Sequence, residues 1–280
     1  MKVVLATDGN EPARAAATLL EALAHRDRTD LRVIAVNSFE TVLAAAAIRH
    51  RYDPTAARRE VQAALDVAVR RLREAGFSAE GRVEEGDPAT EILEMAKREA
   101  AGLVVLGAGH TRWVDSLLLG STSTAVLHTA PSSVLVVHEA LGTDRSRVLV
   151  ATDGSEGAQR AVQTLVALAD PGRCTVRVIA VAETPSFAAT GVRGDEAVEE
   201  ALRVRAGECA EEAATALRAA GFTAETEVAA GHPATLLLER SRAYDLVAVG
   251  SRGLGALRRS LLGSLSDKLV RHARATLVAR

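Results

Sequence analysis

The chain states nearly the same sentence twice. Lys2-Val-Val-Leu-Ala-Thr-Asp8-Gly-Asn-Glu-Pro-Ala returns as Arg147-Val-Leu-Val-Ala-Thr-Asp153-Gly-Ser-Glu-Gly-Ala, a shift of 145 positions. That spacing is the size of one ordinary domain. An internal repeat is sought first because it fixes the domain count and the fold class together. It divides this chain into a first domain over 1–140 and a second over 146–280, joined by a linker over 139–146. Each feature of one half has a counterpart in the other, so differences between counterparts carry information.

Each half reads as strands alternating with helices. Residues 3–7 form a short apolar run, as a parallel strand covered on both faces requires. Asp8-Gly9-Asn10 supplies turn and N-cap chemistry, and Pro12 suits a first helical turn. A helix then runs to about residue 25, followed by a strand over 31–37. Residues 54–75 carry Val61, Leu65, Ala68, Val69 and Leu72 at spacings of three and four, an amphipathic helix closed by Gly76. A strand over 77–83, a short helix over 88–97, a strand over 103–107, a helix over 121–128 and a strand over 134–137 complete the half. The second half repeats this order with strands over 148–152, 175–181, 223–229, 246–250 and 277–279. Gly107 matches Gly250 at a shift of 143, so two residues are lost after Glu239, assigned to the turn behind the short helix.

This alternation predicts an α/β fold of two tandem doubly wound domains, each a five-stranded, mostly parallel sheet flanked by helices. Ligands of such sheets bind beyond the carboxyl ends of the strands, where strand order reverses. Asp8, Asn37 and Gly107 stand at those ends in the first half, and Asp153, Ala182 and Gly250 in the second. The last strands, 134–137 and 277–279, are apolar edges; pairing them within one chain as a pseudo-dimer would hide both.

Composition removes several function classes. The net charge is -2 and aromatic residues make up 2%, so neither a basic field nor stacking platforms invite nucleic acid. No run approaches the ~20 apolar residues of a membrane helix. Cys174 and Cys209 have no metal or redox spacing, which fits free thiols of a reducing cytoplasm. His25, His50, His128, His138, His232 and His272 are scattered singly, so a dedicated metal site is not expected. Walker, dinucleotide-fold and nucleophile-elbow motifs are absent. The charged helix over 195–218 reads as a solvated face.

The segment with most chemistry follows the fourth strand of the second half. Gly250-x2-Gly253-x9-Gly263-Ser264 leads straight into a helix. Glycines let backbone N–H groups close around phosphate oxygens, and the helix start aims the N–H groups of Ser264, Leu265 and Ser266 at the same anion. The Ser264 and Ser266 hydroxyls can donate to phosphate or reach its metal. Arg252, Arg258 and Arg259 add positive charge. As an isolated pattern this is also compatible with a plain connector and a capped helix.

With Thr152-Asp153-Gly-Ser at the end of the first strand, this segment resembles the universal stress protein family, over nearly the whole chain as a tandem pair. The resemblance implies an adenine-nucleotide α-hydrolase-like fold and ATP as ligand, with magnesium carried on the triphosphate. It implies that Thr152 and Asp153 lie near the nucleoside and the backbone of Val181 near the adenine. It also implies that Gly250, Arg252, Gly253, Gly263, Ser264, Leu265 and Ser266 lie around the phosphates. The first-half counterparts are Thr7, Asp8, Val36, Gly107, Gly120 and Ser121. There the pattern departs: His110 replaces the second glycine, Ala108 replaces Ser251, and Asp115 and Ser116 align with Arg258 and Arg259. If that position needs positive φ or close phosphate approach, a β-carbon is unfavourable, though Gly109 can rescue the turn. Trp113 is the single tryptophan, a reporter of that loop.

The expectation is thus an ATP-binding stress or regulatory protein, with slow hydrolysis at most and an unidentified protein partner. The alternatives are a nucleotide-independent scaffold and a slow ATPase with Asp153 as base. Homodimerisation is compatible with all three.

Overall fold

A computed structural model describes residues 1–38, 54–109, 119–140, 145–183, 196–253 and 263–280. His50, His110, Trp113, Asp115, Ser116, Arg258 and Arg259, singled out above, lie outside the described residues. The chain separates into two compact units, Met1–Gly142 and Thr143–Arg280.

The first unit runs β1 (Lys2–Ala6), α1 (Glu11–Leu23), a 3-10 turn, β2 (Asp30–Asn37), α2 (Pro54–Glu74), β3 (Ser78–Glu85), α3 (Pro88–Arg98), β4 (Leu103–Gly107), α4 (Ser121–Thr129) and β5 (Ser133–Val137). Its strands lie in the order β3-β2-β1-β4-β5, all parallel. The second unit runs β6 (Ser146–Thr152), α5 (Glu156–Leu168), a 3-10 turn, β7 (Cys174–Ala182), α6 (Glu196–Ala219), β8 (Thr223–Ala230), α7 (Pro233–Ser241), β9 (Leu246–Gly250), α8 (Ser264–His272) and β10 (Ala275–Ala279). Its order is β10-β9-β6-β7-β8, again all parallel. Strand order reverses between β1 and β4, and between β6 and β9, which is where such sheets open a crevice.

The central strands are buried on both faces. Val3, Val4 and Leu5 of β1, and Val148, Leu149 and Val150 of β6, are fully inaccessible to solvent. Helix α2 covers its sheet with Leu65, Val69 and Leu72, the spaced positions read from sequence. Gly76 adopts φ +92 and Gly221 the same value, ending α2 and α6 in the left-handed conformation that glycine supplies without a Cβ penalty.

Three expectations need correction. Helix α6 is not only a solvated face: Ala206, Cys209, Ala210, Ala214 and Leu217 form a buried stripe against the sheet. Strand ends differ from the sequence reading by one or two residues: β1 closes at Ala6, β3 starts at Ser78 rather than Phe77, and β10 starts at Ala275. The two-residue deletion of the second half lies in the helix, not in the turn behind it. Helix α3 has 11 residues and α7 has 9. The turns are fixed at their far ends, where Gly102 N–H donates to the Lys2 carbonyl at 3.1 Å and Asp245 N–H to the Arg147 carbonyl at 2.9 Å. A turn pinned to the neighbouring strand cannot shorten, so the helix does.

Asp245 adds a clamp that the first half lacks, where Gly102 stands. Its carboxylate is 2% exposed, accepts the Arg147 N–H at 2.7 Å, and has the Arg147 and Arg274 guanidinium groups 3.8 and 4.0 Å away. Losing a buried acceptor costs about 1–3 kcal/mol. Asp245→Ala is therefore expected to lower the stability of the second unit by that amount. Urea unfolding followed by circular dichroism should show one component moved to lower denaturant; an unshifted curve would contradict the clamp.

Candidate functional site

Each half places its first-strand Asp on an exposed turn at the carboxyl end of the sheet. The turn is built by its neighbours. Gly9 and Gly154 sit at φ +75 and +77, and their N–H groups donate to Thr7 Oγ1 and Thr152 Oγ1, both at 3.2 Å. Asp8 Oδ1 accepts the Asn10 N–H, and Asp153 Oδ1 the Ser155 N–H, each at 3.0 Å. These bonds hold each carboxylate over its own turn, and Asp8 lines a cleft of the first half.

The halves differ at the next residue. Ser155 caps α5, its Oγ accepting the Ala158 N–H at 3.3 Å. Asn10 makes no cap bond to α1; its Nδ2 donates instead to Asp8 Oδ2 at 3.0 Å. The first carboxylate is thus held at both oxygens by Asn10.

Beyond β4 and β9 the loops are anchored alike. Ala108 N–H donates to the Val137 carbonyl and Ser251 N–H to the Ala279 carbonyl, both at 2.8 Å. Gly120 N–H closes back onto the Ala108 carbonyl and Gly263 N–H onto the Ser251 carbonyl, again at 2.8 Å. Gly120 and Gly263 are the N-cap residues of α4 and α8, and having no side chain they leave the first turn uncapped. In α8 that turn consists of Ser264, Leu265 and Ser266; in α4 it opens with Ser121. An uncapped first turn combines unsatisfied N–H donors with the positive end of the helix dipole.

The glycines of the motif have separate reasons. Gly107 and Gly250 are packing positions: a Cβ would lie 2.5 Å from the backbone of Pro12 or Gly157, so α1 and α5 press directly on the strand ends. Gly253 does not adopt positive φ, which corrects the conformational reason considered for it. The constraint is steric, since a Cβ at residue 253 would lie 2.4 Å from Asp153 Oδ2. Gly253 thereby brings the loop against the first-strand carboxylate.

Ser266 is a second correction. It is 3% exposed and its Oγ donates to the Gly250 carbonyl at 2.8 Å, so its hydroxyl proton is committed to the scaffold, not to phosphate. Ser123 does the same for the Gly107 carbonyl at 2.7 Å. Ser264 and Ser121 are exposed. Val181 and Val36 lie past the last β6–β7 and β1–β2 partners, Thr152–Ala180 and Ala6–Ile34, so their backbone edge faces the crevice.

The loops also diverge in conformation, with a compensating change on the facing helix. Gly109 is left-handed at φ +73, whereas its counterpart Arg252 is not. A Cβ on Gly157 would lie 2.3 Å from the Arg252 carbonyl, so α5 needs glycine there; its counterpart in α1 is Pro12. Arg252 lies near Arg280, whose guanidinium is pushed below its ordinary value by burial and then by the like charge of Arg252.

In the first half these elements enclose a cleft of about 830 Å³. Thr7, Asp8, Val36, Gly107, Gly120 and Ser121 all line it. Sequence reasoning missed Asn10, Ser38, Asp87, Pro88 and Ile92, which line it too. The repeated Gly-x-Pro-Ala-Thr segment was legible as a helix start, but nothing in it signals that the start of α3 turns toward the cleft. Asp87 caps α3, accepting the Thr90 N–H at 2.9 Å and hydroxyl at 2.7 Å. Those two bonds, the hydroxyl first, hold its carboxyl below the usual range. Among the described residues no group of three or more His, Cys, Asp and Glu side chains is arranged to hold a metal ion. Among them, too, no helix is long and apolar enough to cross a membrane.

The model of the "Universal stress protein family" matches residues 1–138 and again 145–279. A universal stress protein of Mycolicibacterium smegmatis is 30% identical over 227 residues, covering 78% of this chain and 74% of the relative. The crystal structure of a universal stress protein from Archaeoglobus fulgidus superposes with a TM-score of 0.70 at 21% identity, over 100% of this chain and 98% of that one. A universal stress protein crystallised in complex with cAMP is similar at 26% identity and a TM-score of 0.36, over 49% of this chain and 96% of its own.

Proposed function

For a chain that belongs to the universal stress protein family, we propose an ATP-binding regulatory role, in which occupancy of the second half sets conformation or partner choice and hydrolysis is slow at most. The observation that carries the reading is the uncapped first turn of α8, at the same sheet end as the Asp153 turn. In this reading the N–H groups of Ser264 and Leu265 hold phosphate oxygens, helped by Arg252 and a dipole of about half a charge at the helix start. Asp153 accepts from ribose hydroxyls, and the Val181 peptide reads the adenine edge. A magnesium ion enters on the phosphates, since the described side chains offer it no ligand set of their own.

Calorimetric titration of the full chain with Mg-ATP tests the reading. Saturable binding, with release of phosphate far slower than exchange of nucleotide, is the expected result. A chain that takes up no adenine nucleotide would favour a nucleotide-independent scaffold, and rapid phosphate release would make it an ATPase.

A further inference from the structure

Strands β3 and β8 are counterparts, and each is an edge. Among the described residues β3 pairs with β2 alone and β8 with β7 alone. The Gly231 N–H donates to the Ala182 carbonyl of β7 at 3.1 Å, so odd-numbered residues of β8 turn their main-chain groups inward. Those of Ala224, Thr226, Val228 and Ala230 turn outward. Arg218 Nε takes the Ala224 carbonyl at 3.0 Å, as Arg73 Nε takes the Ala79 carbonyl of β3 at 2.8 Å, so a guanidinium guards the start of each edge.

Past the guard the two edges differ. β3 ends in Val83-Glu84-Glu85, and α2 carries Arg58-Arg59, with Arg58 on Glu85 at 2.9 Å. Charges of this kind keep an exposed edge from pairing. At the same places β8 ends in Val228-Ala229-Ala230, and α6 carries Arg203-Val204. Val204 and Val228 are 53% and 43% exposed, two of the four large apolar side chains so placed among the described residues. Both line one groove between α6 and β8, with Glu200, Arg203, Ala229 and Ala230. The second half has thus lost its edge protection and gained an apolar surface beside it.

We propose that the β8 edge and this groove form an interaction surface for a second copy of the chain, joined by antiparallel β8–β8 pairing across a two-fold axis. The surface is independent of the nucleotide reading. An axis normal to the sheet lays both α6 helices on one face, so the two Val204–Val228 patches meet over the joint. Glu200 and Arg203 give each groove one charge of either sign, so the surface complements itself. Charge also selects the register. With the axis at Val228, that residue pairs with its own copy and Thr226 with the partner's Ala230, about six main-chain bonds from outward groups alone. Glu227 then faces the partner's Ala229, and Glu225 the partner's Gly231, so no carboxylates are opposed. An axis at Thr226 would set Glu225 against Glu227, which like charge disfavours. On the face away from α6, Glu225 and Glu227 are already paired, with Arg177 at 2.7 Å and Arg240 at 2.9 Å.

The test is sedimentation of the full chain across micromolar concentrations, where wild type is expected to dimerise. Val204→Arg with Ala230→Glu copies Arg59 and Glu85 of the first half, so the fold has a precedent for both. The pair should leave the urea midpoint unchanged and raise the dissociation constant at least about a hundredfold, since a two-fold interface takes each substitution twice. A second readout fixes the register. Val228→Cys should be joined to its own copy by a short bifunctional thiol reagent, the two Cα atoms lying about 5.5 Å apart. Thr226→Cys meets the partner's Ala230 and should not be joined. Cys174 and Cys209 are buried and do not compete. A monomeric wild type overturns the proposal, as does a folded Val204→Arg, Ala230→Glu chain that dimerises as before. So does a dimer in which Val228→Cys is joined no better than Thr226→Cys.

Discussion

Gly253→Val is expected to weaken Mg-ATP binding to the second half by about a hundredfold or more while leaving the fold nearly as stable as before. The geometry separates the two effects. The added Cβ would lie 2.4 Å from Asp153 Oδ2, far inside any real contact, so something must move. What moves is the end of a side chain on an exposed turn, not backbone, and that response is cheap for stability. It is expensive for a ligand. The carboxylate must leave the direction set by the Ser155 N–H, and losing a hydrogen bond to a charged group costs about 1.5–3 kcal/mol, at ~1.4 kcal/mol for each factor of ten in affinity. Titration calorimetry beside a urea curve reads both quantities. Unchanged affinity would mean that Asp153 does not touch the ligand, and a collapsed fold would mean that the carboxylate was holding the loop.

Gly157→Pro should do the opposite, with a large cost in stability. Proline is tolerated in this first helical turn, and Pro12 occupies the equivalent place in α1. The obstacle is the Arg252 carbonyl, 2.3 Å from the new Cβ and part of the backbone. Forced overlap of this kind costs about 3 kcal/mol. The first half avoids it with a left-handed Gly109, so Arg252→Gly in the same chain should return at least about 1 kcal/mol through coupling of neighbours. A double-mutant cycle from denaturation midpoints measures this directly. Strictly additive effects would show that the paired differences Pro12/Gly109 and Gly157/Arg252 are unrelated.

These two positions also mark how far the sequence could be read. The alternation of strands and helices was legible because the signals are local: apolar runs in β1 and β6, three-and-four spacing in α2, and glycine after α2 and α6. The sheet end as the place to expect a site followed from fold class. The roles of individual motif residues were less legible, because they depend on what arrives from a distant part of the chain. Gly253 reads as a residue of special φ, yet its neighbour across space is Asp153, 100 positions away. Ser266 reads as a phosphate donor, yet burial turns it onto the Gly250 carbonyl. Asp87 reads only as a helix cap, which it is, and no pattern along the chain says that the cap also lines a cleft. The shortening of α7 was assigned to its turn because turns usually absorb length changes, and the hydrogen bond from Asp245 to Arg147 that forbids it joins two strands far apart in sequence.

The backbone bond from Gly263 to Ser251, and its twin from Gly120 to Ala108, has a consequence for how such a protein can change. Each ties the two ends of a segment together beside a strand end, so those two ends stand at a fixed doorway. Whatever lies between can be exchanged as a cassette without re-registering a strand or re-seating a helix. A duplicated chain with two such doorways can keep one insert for its original ligand and give the other away to a new one, and the sheets beneath need record nothing of the exchange.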